Sequence, residues 1–140
     1  MNKHDSAKQA FIQLSNTANW LQGKMTDILV PFQISVQQLR TLAIVAQMPE
    51  RQATVKDIRQ RMYDPMSNVS RLLNKLMEKQ LIQKVRSAED QRVVYIQLTD
   101  AGLKLLNDGQ AALDQGMAAL ASLTTEQFKQ LNQLLTQLRQ

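Results

Sequence analysis

The spacing of apolar residues constrains the fold most, because it is helical over much of the chain and changes to a strand pattern in one segment. Residues 7–29 carry apolar side chains at helical intervals, and residues 69–77 repeat them at i, i+3, i+4, i+7 and i+8. Residues 81–86 and 93–98 are instead β-branched and partly alternating, with a polar segment between them. We therefore expect a mostly α-helical protein with a minor β-hairpin.

Prolines and capping residues divide the helical part of the chain into segments. Pro31 is expected to end the first helix, and Met48-Pro49 the second. A capping box, in which the N-cap side chain and the side chain three residues later bond each other's backbone N–H, is expected at Thr54 and Asp57. The expected starts of the other helices are Ser35, Asp64-Pro65, Thr99, and Thr124 or Thr125.

Positive charge is concentrated in the middle of the chain. Residues 51–92 hold ten basic and five acidic side chains, while the two flanks together hold seven of each. The net charge of +5 therefore lies entirely in this central segment. Scattered lysines would give a solvated basic face, but a basic segment between neutral helices is more typical of a polyanion-binding module.

Several classes of protein would need residues that this chain lacks. It has no Cys and a single His, His4, so a disulfide framework, a Cys or His metal centre and a His-based catalytic relay are not expected. No nucleophile–base pair or Gly-rich phosphate loop is visible, and the start has no apolar run typical of a signal peptide. No apolar stretch is long enough for a membrane span. We expect a cytoplasmic protein that is not an enzyme and holds no cofactor or metal.

The helix that contains residues 69–77 has a polar face suited to duplex DNA. A helix about 10–12 Å across fits a major groove about 12 Å wide. A guanidinium in the middle of that face can bridge O6 and N7 of guanine, and free amides at the helix N-terminus favour phosphate oxygens. The candidate DNA-binding residues of this helix are Ser67, Asn68 and Ser70 at its N-terminus and Arg71, Asn74 and Lys75 on its polar face.

The tip of the predicted hairpin carries a second candidate, Arg92. An arginine inserted into the adjacent minor groove gains from the strong negative potential of narrow A·T tracts. Asp90 lies two residues before it and would repel DNA unless it holds the arginine in place. On composition alone, a plain turn residue is the simpler interpretation of Asp90.

Residues 54–102 resemble the multiple-antibiotic-resistance regulator (MarR) family of bacterial transcription factors. The resemblance lies in Ser67–Leu76 of the predicted recognition helix, in Arg86–Arg92 of the wing, and in the closing Leu98–Gly102. The wing pattern is the specific part: an Arg, then Asp-x-Arg, then Leu-Thr-x-x-Gly. The flanking helices match the family in order and length.

The resemblance implies a winged helix-turn-helix with a helical dimerisation arm made from both ends of the chain. It assigns residues 1–34 and 100–140 to the arm and residues 35–99 to the DNA-binding domain, with the helix-turn-helix at about 54–79 and the wing at about 81–98. Two such modules in a homodimer would read a pseudo-palindromic operator.

In this family the wing Arg enters the minor groove and the preceding Asp orients it. The resemblance therefore supports Arg92 and adds Arg86 and Asp90 to the expected DNA-binding residues. Many members release DNA when a small aromatic or anionic ligand binds between the arm and the winged module. We therefore expect a repressor released by a small-molecule effector, and no ligand residue is assigned.

Three residues depart from the family pattern. Arg59 replaces a small residue that lets the two helices of the motif approach closely, and Tyr63 stands where Gly is common in the turn. Gln80 stands where Gly usually ends the recognition helix. Because a left-handed Gln costs about 1 kcal/mol, that helix is expected to end in a different way.

Two questions stay open at the level of sequence. Trp20 and Ile12 lie off the apolar stripe of the first helix, so they belong either to a broader core face or to a subunit contact. The alternative to a DNA-binding regulator is a helical dimer that docks another protein through its winged domain, with only incidental DNA binding. The concentrated positive charge argues against that alternative.

Overall fold

The computed structural model describes residues 1–62 and 68–140. Two short 3₁₀ turns, Val30–Phe32 and Pro49–Arg51, connect regular elements in the first half of the chain. In chain order the elements are α1 (Lys3–Leu29), α2 (Val36–Gln47), β1 (Gln52–Ala53), α3 (Val55–Arg61), α4 (Val69–Glu78), β2 (Ile82–Arg86), β3 (Val94–Leu98), α5 (Asp100–Leu120) and α6 (Thr125–Leu138). This order confirms a mostly helical winged helix-turn-helix fold.

Local side-chain caps determine where most of the helices begin. Ser35 and Gln38 form a complete capping box at α2, and Thr54 and Asp57 form another at α3. The donated backbone N–H groups would otherwise lack a partner inside the helix. The hydrogen bonds from Thr54 to the Asp57 carboxylate hold the pKa of that carboxyl below its ordinary value. The expected starts at Ser35, Thr54, Thr99 and Thr124 are confirmed.

Helix α2 lies at the centre of the core and packs against α1, α3, α4, α5 and β3. Leu42 and Val45 on α2 are completely buried. Leu76 of α4 and Ile96 of β3 are also buried, so both the polar-faced helix and the hairpin are anchored on the same core. Each fully buried side chain of this kind contributes about 1.5–3 kcal/mol.

The sheet has three strands in the order β1-β3-β2, whereas the sequence predicts only the hairpin of β2 and β3. Both pairings are antiparallel, and in β1 Gln52 lies opposite Gln97 while Ala53 lies opposite Ile96. A strand of two residues has no periodicity to detect, so the prediction missed it. It ties the end of α2 to the base of the hairpin, which would be only marginally stable alone.

Helix α4 begins at Val69, with Asn68 as its N-cap. The sequence predicts a start near Asp64-Pro65, which lie outside the described residues, as does Tyr63. The core face of α4 is confirmed by the buried Val69, Leu73 and Leu76.

Helix α1 starts at Lys3, earlier than the predicted start at Ala7.

Gln80 corrects a second expectation about this helix. Its φ is 60°, so it adopts the left-handed conformation although a side chain disfavours it. Its N–H donates to Met77 O at 2.9 Å, and the Leu81 N–H donates to Leu76 O at 3.0 Å. These two bonds form a Schellman motif, and they offset the cost of the left-handed residue.

Thr99 and Gly102 join the start of α5 to the end of α4. The Thr99 N–H donates to Leu81 O at 3.1 Å, and its hydroxyl donates to Gln80 O at 2.9 Å. A Cβ at residue 102 would collide with the carbonyl oxygen of Leu81. The Thr and Gly of the Leu-Thr-x-x-Gly pattern therefore allow the start of α5 to pack closely against the segment between α4 and β2.

Helices α1 and α6 carry apolar side chains that the described chain leaves uncovered. Trp20 and Ile12 on α1 are 50% and 52% exposed, so they are not part of a broader core face within one chain. On α6, Leu134 and Leu138 are 56% and 50% exposed, and the helix contributes no buried residue. The two ends of the chain thus present an apolar surface to their surroundings.

No single helix of the described chain has the length and apolar composition needed to cross a membrane. One bent pair, residues 3–32 with 36–47 at an angle of 76°, meets those two criteria together. Among residues 1–62 and 68–140, no group of three or more His, Cys, Asp or Glu side chains is placed to hold a metal ion.

Candidate nucleic-acid interface

The solvent face of α4 carries most of the predicted contacts. Arg71, Asn74 and Lys75 are all exposed, on the side opposite the buried Val69 and Leu73. This two-sided pattern follows from the 3.6-residue period, which puts positions three and four apart on the same face. The structure therefore brings these three residues together on one accessible surface.

Asn68 has a structural task in addition to its predicted one. Its side-chain oxygen accepts a hydrogen bond from the Arg71 N–H at 3.1 Å, which caps α4. That oxygen stabilises the helix start, while the side-chain NH₂ is the group with which Asn68 can donate to an oxygen acceptor. Ser67, the neighbouring predicted contact, lies outside the described residues.

Arg59 lies on the same surface, although the family pattern predicts only that its size hinders close packing of the two helices. Its Nη2 is 3.4 Å from the Ser70 hydroxyl oxygen, and both side chains are exposed. The buried residue of α3 is its neighbour Ile58. The guanidinium therefore extends toward the N-terminal turn of α4 instead of separating the two helices. A basic residue on the exposed side of α3 was the only signal available in the sequence.

The wing places Asp90 and Arg92 in direct contact. Arg92 Nε and Nη2 donate to the two carboxylate oxygens of Asp90 at 3.1 and 3.2 Å, and the Arg92 N–H donates to Oδ1 at 3.0 Å. The side-chain bonds and then the backbone bond from Arg92 hold the pKa of Asp90 below its ordinary value. Arg92 remains 91% exposed, so the pair orients the guanidinium without burying it.

The remaining polar groups of the wing tip brace its backbone. Arg86 Nη1 donates to Gln91 O at 3.0 Å, which joins the two sides of the tip. The Ser87 hydroxyl oxygen accepts from the N–H groups of Glu89 and Asp90, each at 3.2 Å. Arg86 was predicted as a DNA contact, and the structure places one of its nitrogens in this brace.

The basic side chains of residues 51–92 are exposed, and few of them are paired with a carboxylate. All ten Lys and Arg residues of this segment are exposed. Three ion pairs form within the described part of the chain, and only Asp90–Arg92 involves this segment. The excess positive charge is therefore presented to solvent, where it can attract a polyanion.

A family model for the transcriptional regulator SarA/Rot matches residues 25–108, which include α2, the helix-turn-helix and the wing. No curated protein matches the chain significantly.

Solved structures share the fold over almost the whole chain. The S. aureus MepR–DNA complex is 27% identical, covers 91% of this chain and 93% of its own, and has a TM-score of 0.77. Sco3205, a MarR family regulator of Streptomyces coelicolor in complex with DNA, is 17% identical, with coverages of 99% and 88% and a TM-score of 0.81. Sco5413, a MarR family regulator from the same organism, is 15% identical, with coverages of 96% and 93% and a TM-score of 0.83.

The MarR resemblance seen in the sequence is thus confirmed at the level of fold, and the family function is transcriptional regulation, not catalysis. The family model covers more than half of the chain, so the chain belongs to the SarA/Rot family of transcriptional regulators.

Proposed function

We propose that this regulator acts as a homodimer that binds a pseudo-palindromic operator, with α4 of each subunit in the major groove and each wing at the adjacent minor groove. The observation that carries the proposal is Arg92, which is 91% exposed at the wing tip and is held there by Asp90. An oriented, exposed guanidinium has little value to the fold, because surface ion pairs contribute about 0–1 kcal/mol.

On α4, Arg71 is the proposed base-reading residue. It lies within the first turn, exposed, and a guanidinium can donate in bidentate fashion to guanine O6 and N7. Asn74 and Lys75 follow one turn later on the same face, with Ser67, Asn68 and Ser70 near the helix N-terminus. Contacts of these polar groups with phosphates would fix the register of the helix on the duplex.

The dimer would be formed by residues 1–34 and 100–140. Support comes from the exposed apolar residues of α1 and α6, such as Trp20 and Leu134, which two subunits would cover by packing their helices together. Dimerisation supplies the second recognition helix, so half-sites would lie about one helical turn apart, on the order of 34–36 Å.

The proposal includes repression that a small aromatic or anionic effector relieves. Phe32 and Arg40 are half-buried near the connection of α1 and α2, so an aromatic ring and a cation are available where the arm joins the winged module. A ligand bound at that junction would change the distance between the two recognition helices. No residue is assigned to the effector site.

The experiment that tests this function is selection of bound sequences from random duplex DNA, followed by footprinting of the selected site. We expect a two-fold symmetric site, with affinity that falls steeply as salt rises. Arg71→Ala should relax the base preference at one position in each half-site. Recovery of no enriched or symmetric sequence would refute the proposal. Repeating the selection with phenolic acids present tests the effector.

A further inference from the structure

Lys79, at the C-terminal end of α4, connects that helix to the turn between α1 and α2. Its ammonium donates to the carbonyl oxygen of Gln33, and its Nζ lies 3.5 Å from the side-chain oxygen of Gln38. Within the described residues, these are the only side-chain hydrogen bonds between α4 and the α1–α2 connection or the start of α2. The contact spans 46 residues of sequence.

Both acceptors are held in place by their own elements. Gln33 adopts a left-handed conformation with φ 54°, and its N–H donates to Val30 O at 3.0 Å. Gln38 is buried, and its side-chain oxygen also accepts from the Ser35 N–H at 3.2 Å in the capping box of α2. The ammonium therefore meets two pre-positioned oxygens, which lowers the entropic cost of ordering the contact.

The backbone of Lys79 is also fixed by hydrogen bonds, and its charge lies at a favourable end of α4. Residue 79 is the C-cap of α4, and its N–H donates to Lys75 O and Met77 O. A cation at this end of a helix is favoured by the helix dipole. The next residue, Gln80, closes the Schellman motif, so the backbone on both sides of Lys79 is hydrogen-bonded.

We propose that Lys79 is a positioning residue that fixes the angle between the recognition helix and the dimer arm, and thereby the half-site spacing that the dimer accepts. The inference rests on the proposed dimeric DNA-binding function. The α1–α2 connection ends the arm helix α1, which packs on α5, whereas α4 carries Arg71 at its opposite end. Lys79 thus connects the dimer arm to the C-terminal end of α4, the end away from Arg71.

A small tilt of α4 about its C-terminal end displaces its N-terminal end by a distance comparable to one base-pair step. Helix α4 has 10 residues and is about 15 Å long. With its C-terminal end fixed, a tilt of about 13° moves its N-terminal end by about 3.4 Å, the rise of one base pair. A contact that holds the C-terminal end of α4 and limits its tilt therefore limits the half-site spacings to which both α4 helices of the dimer can bind.

The test compares the parent with Lys79→Met on operators whose half-sites are moved apart or together by one base pair. The parent should lose about tenfold or more in affinity on each shifted operator, and Lys79→Met about threefold or less. Because Lys79 is assigned no phosphate contact, the slope of log affinity against log salt should be the same for both proteins. The melting temperature should change little.

Three variants control the comparison. Lys79→Arg keeps a cationic donor and should keep the parental spacing preference. Gln38→Glu keeps the capping box, where Glu is the usual partner, and turns the contact into an ion pair, so it should sharpen the preference by about threefold. Lys104→Met removes one positive charge from α5 and should leave the spacing preference unchanged.

An unchanged spacing preference in Lys79→Met would overturn the role of Lys79. If the salt slope of that variant also fell by about 0.9, Lys79 would instead be a phosphate contact. If Lys79→Met fails to fold, Gln38→Glu decides, and no sharpening refutes the inference. A parent that selects no symmetric site refutes the dimeric function itself, which is a separate result.

Discussion

Arg92 and Asp90 form a two-bond ion pair at the tip of the wing, with Nε to Oδ1 at 3.1 Å and Nη2 to Oδ2 at 3.2 Å. The pair is only two residues apart in sequence, and the Arg92 N–H bonds the same carboxylate. The structure thus holds the guanidinium in one orientation, as the proposed minor-groove contact of Arg92 requires. Sequence composition alone favoured a plain turn residue at position 90, and the geometry favours the orienting role.

Asp90→Ala should weaken operator binding by about tenfold, because the freed Arg92 side chain must be ordered when DNA binds, at a cost of about 1–2 kcal/mol. The salt slope should not fall, since no cation is lost. Arg92→Ala should weaken binding and lower the slope by about 0.9. Fluorescence anisotropy at several salt concentrations measures both quantities. Tighter binding by Asp90→Ala would show that the carboxylate acts only as a repulsive charge.

Arg59→Ala should weaken binding to all sequences alike and lower the salt slope by about 0.9, as expected for loss of a phosphate contact beside Ser70. Arg59→Lys keeps the charge and should keep the slope. The same anisotropy titrations, run on the selected operator and on a scrambled duplex, test this. If affinity and slope are unaffected by Arg59→Ala, the residue lies outside the interface.

Gly102→Ala should destabilise the protein by about 1–3 kcal/mol, because the added Cβ collides with the Leu81 carbonyl at the junction of α5 and β2. Gly109→Ala is the matched control on the same helix: its Cβ would meet only side-chain atoms, the nearest being Leu39 Cδ1 at 3.1 Å, so it should cost less than Gly102→Ala. Urea unfolding followed by circular dichroism gives both values. Equal effects of the two substitutions would contradict the close approach at Gly102.

The capping carboxylate of Asp57 should make stability fall in acid. Its pKa is lowered by the hydrogen bonds from Thr54, so its contribution is fully present above the ordinary carboxyl value of 3.8 and is lost as pH falls through the lower folded-state value. Asp57→Asn keeps an acceptor oxygen without the titration. Urea midpoints measured from neutral pH down to about pH 2.5 should therefore fall less in Asp57→Asn than in the parent. Parallel curves would exclude Asp57 as a source of acid sensitivity.

Leu134→Glu should dissociate the proposed dimer, because it places a charge in the middle of the exposed apolar face of α6. Gln133→Glu puts the same charge on α6 at an exposed polar position away from the apolar face and should leave the dimer intact. Sedimentation velocity at micromolar concentration distinguishes the two. A dimer that persists in Leu134→Glu would mean that the subunits meet elsewhere.

The features that sequence predicted correctly are those whose partners lie within a few residues. The Thr54–Asp57 capping box and the Ser35 cap each close over three residues, and the Asp90–Arg92 motif closes over two. Helix periodicity in α4 is likewise a local property, so its buried and exposed faces were assigned correctly. Such features need no knowledge of the rest of the chain.

By itself, the sequence determined the order of helices and hairpin, most helix starts, and the wing that carries Arg92. Only the tertiary structure decided that Gln52–Ala53 joins the sheet, that Gln80 is left-handed, and that Lys79 reaches Gln33. Each of these involves a contact between residues far apart in the chain: Gln52 lies opposite Gln97, the Thr99 hydroxyl donates to Gln80 O, and the Lys79 ammonium donates to Gln33 O. A local sequence pattern does not predict such contacts, because they form and stabilise the protein only when the whole core has folded.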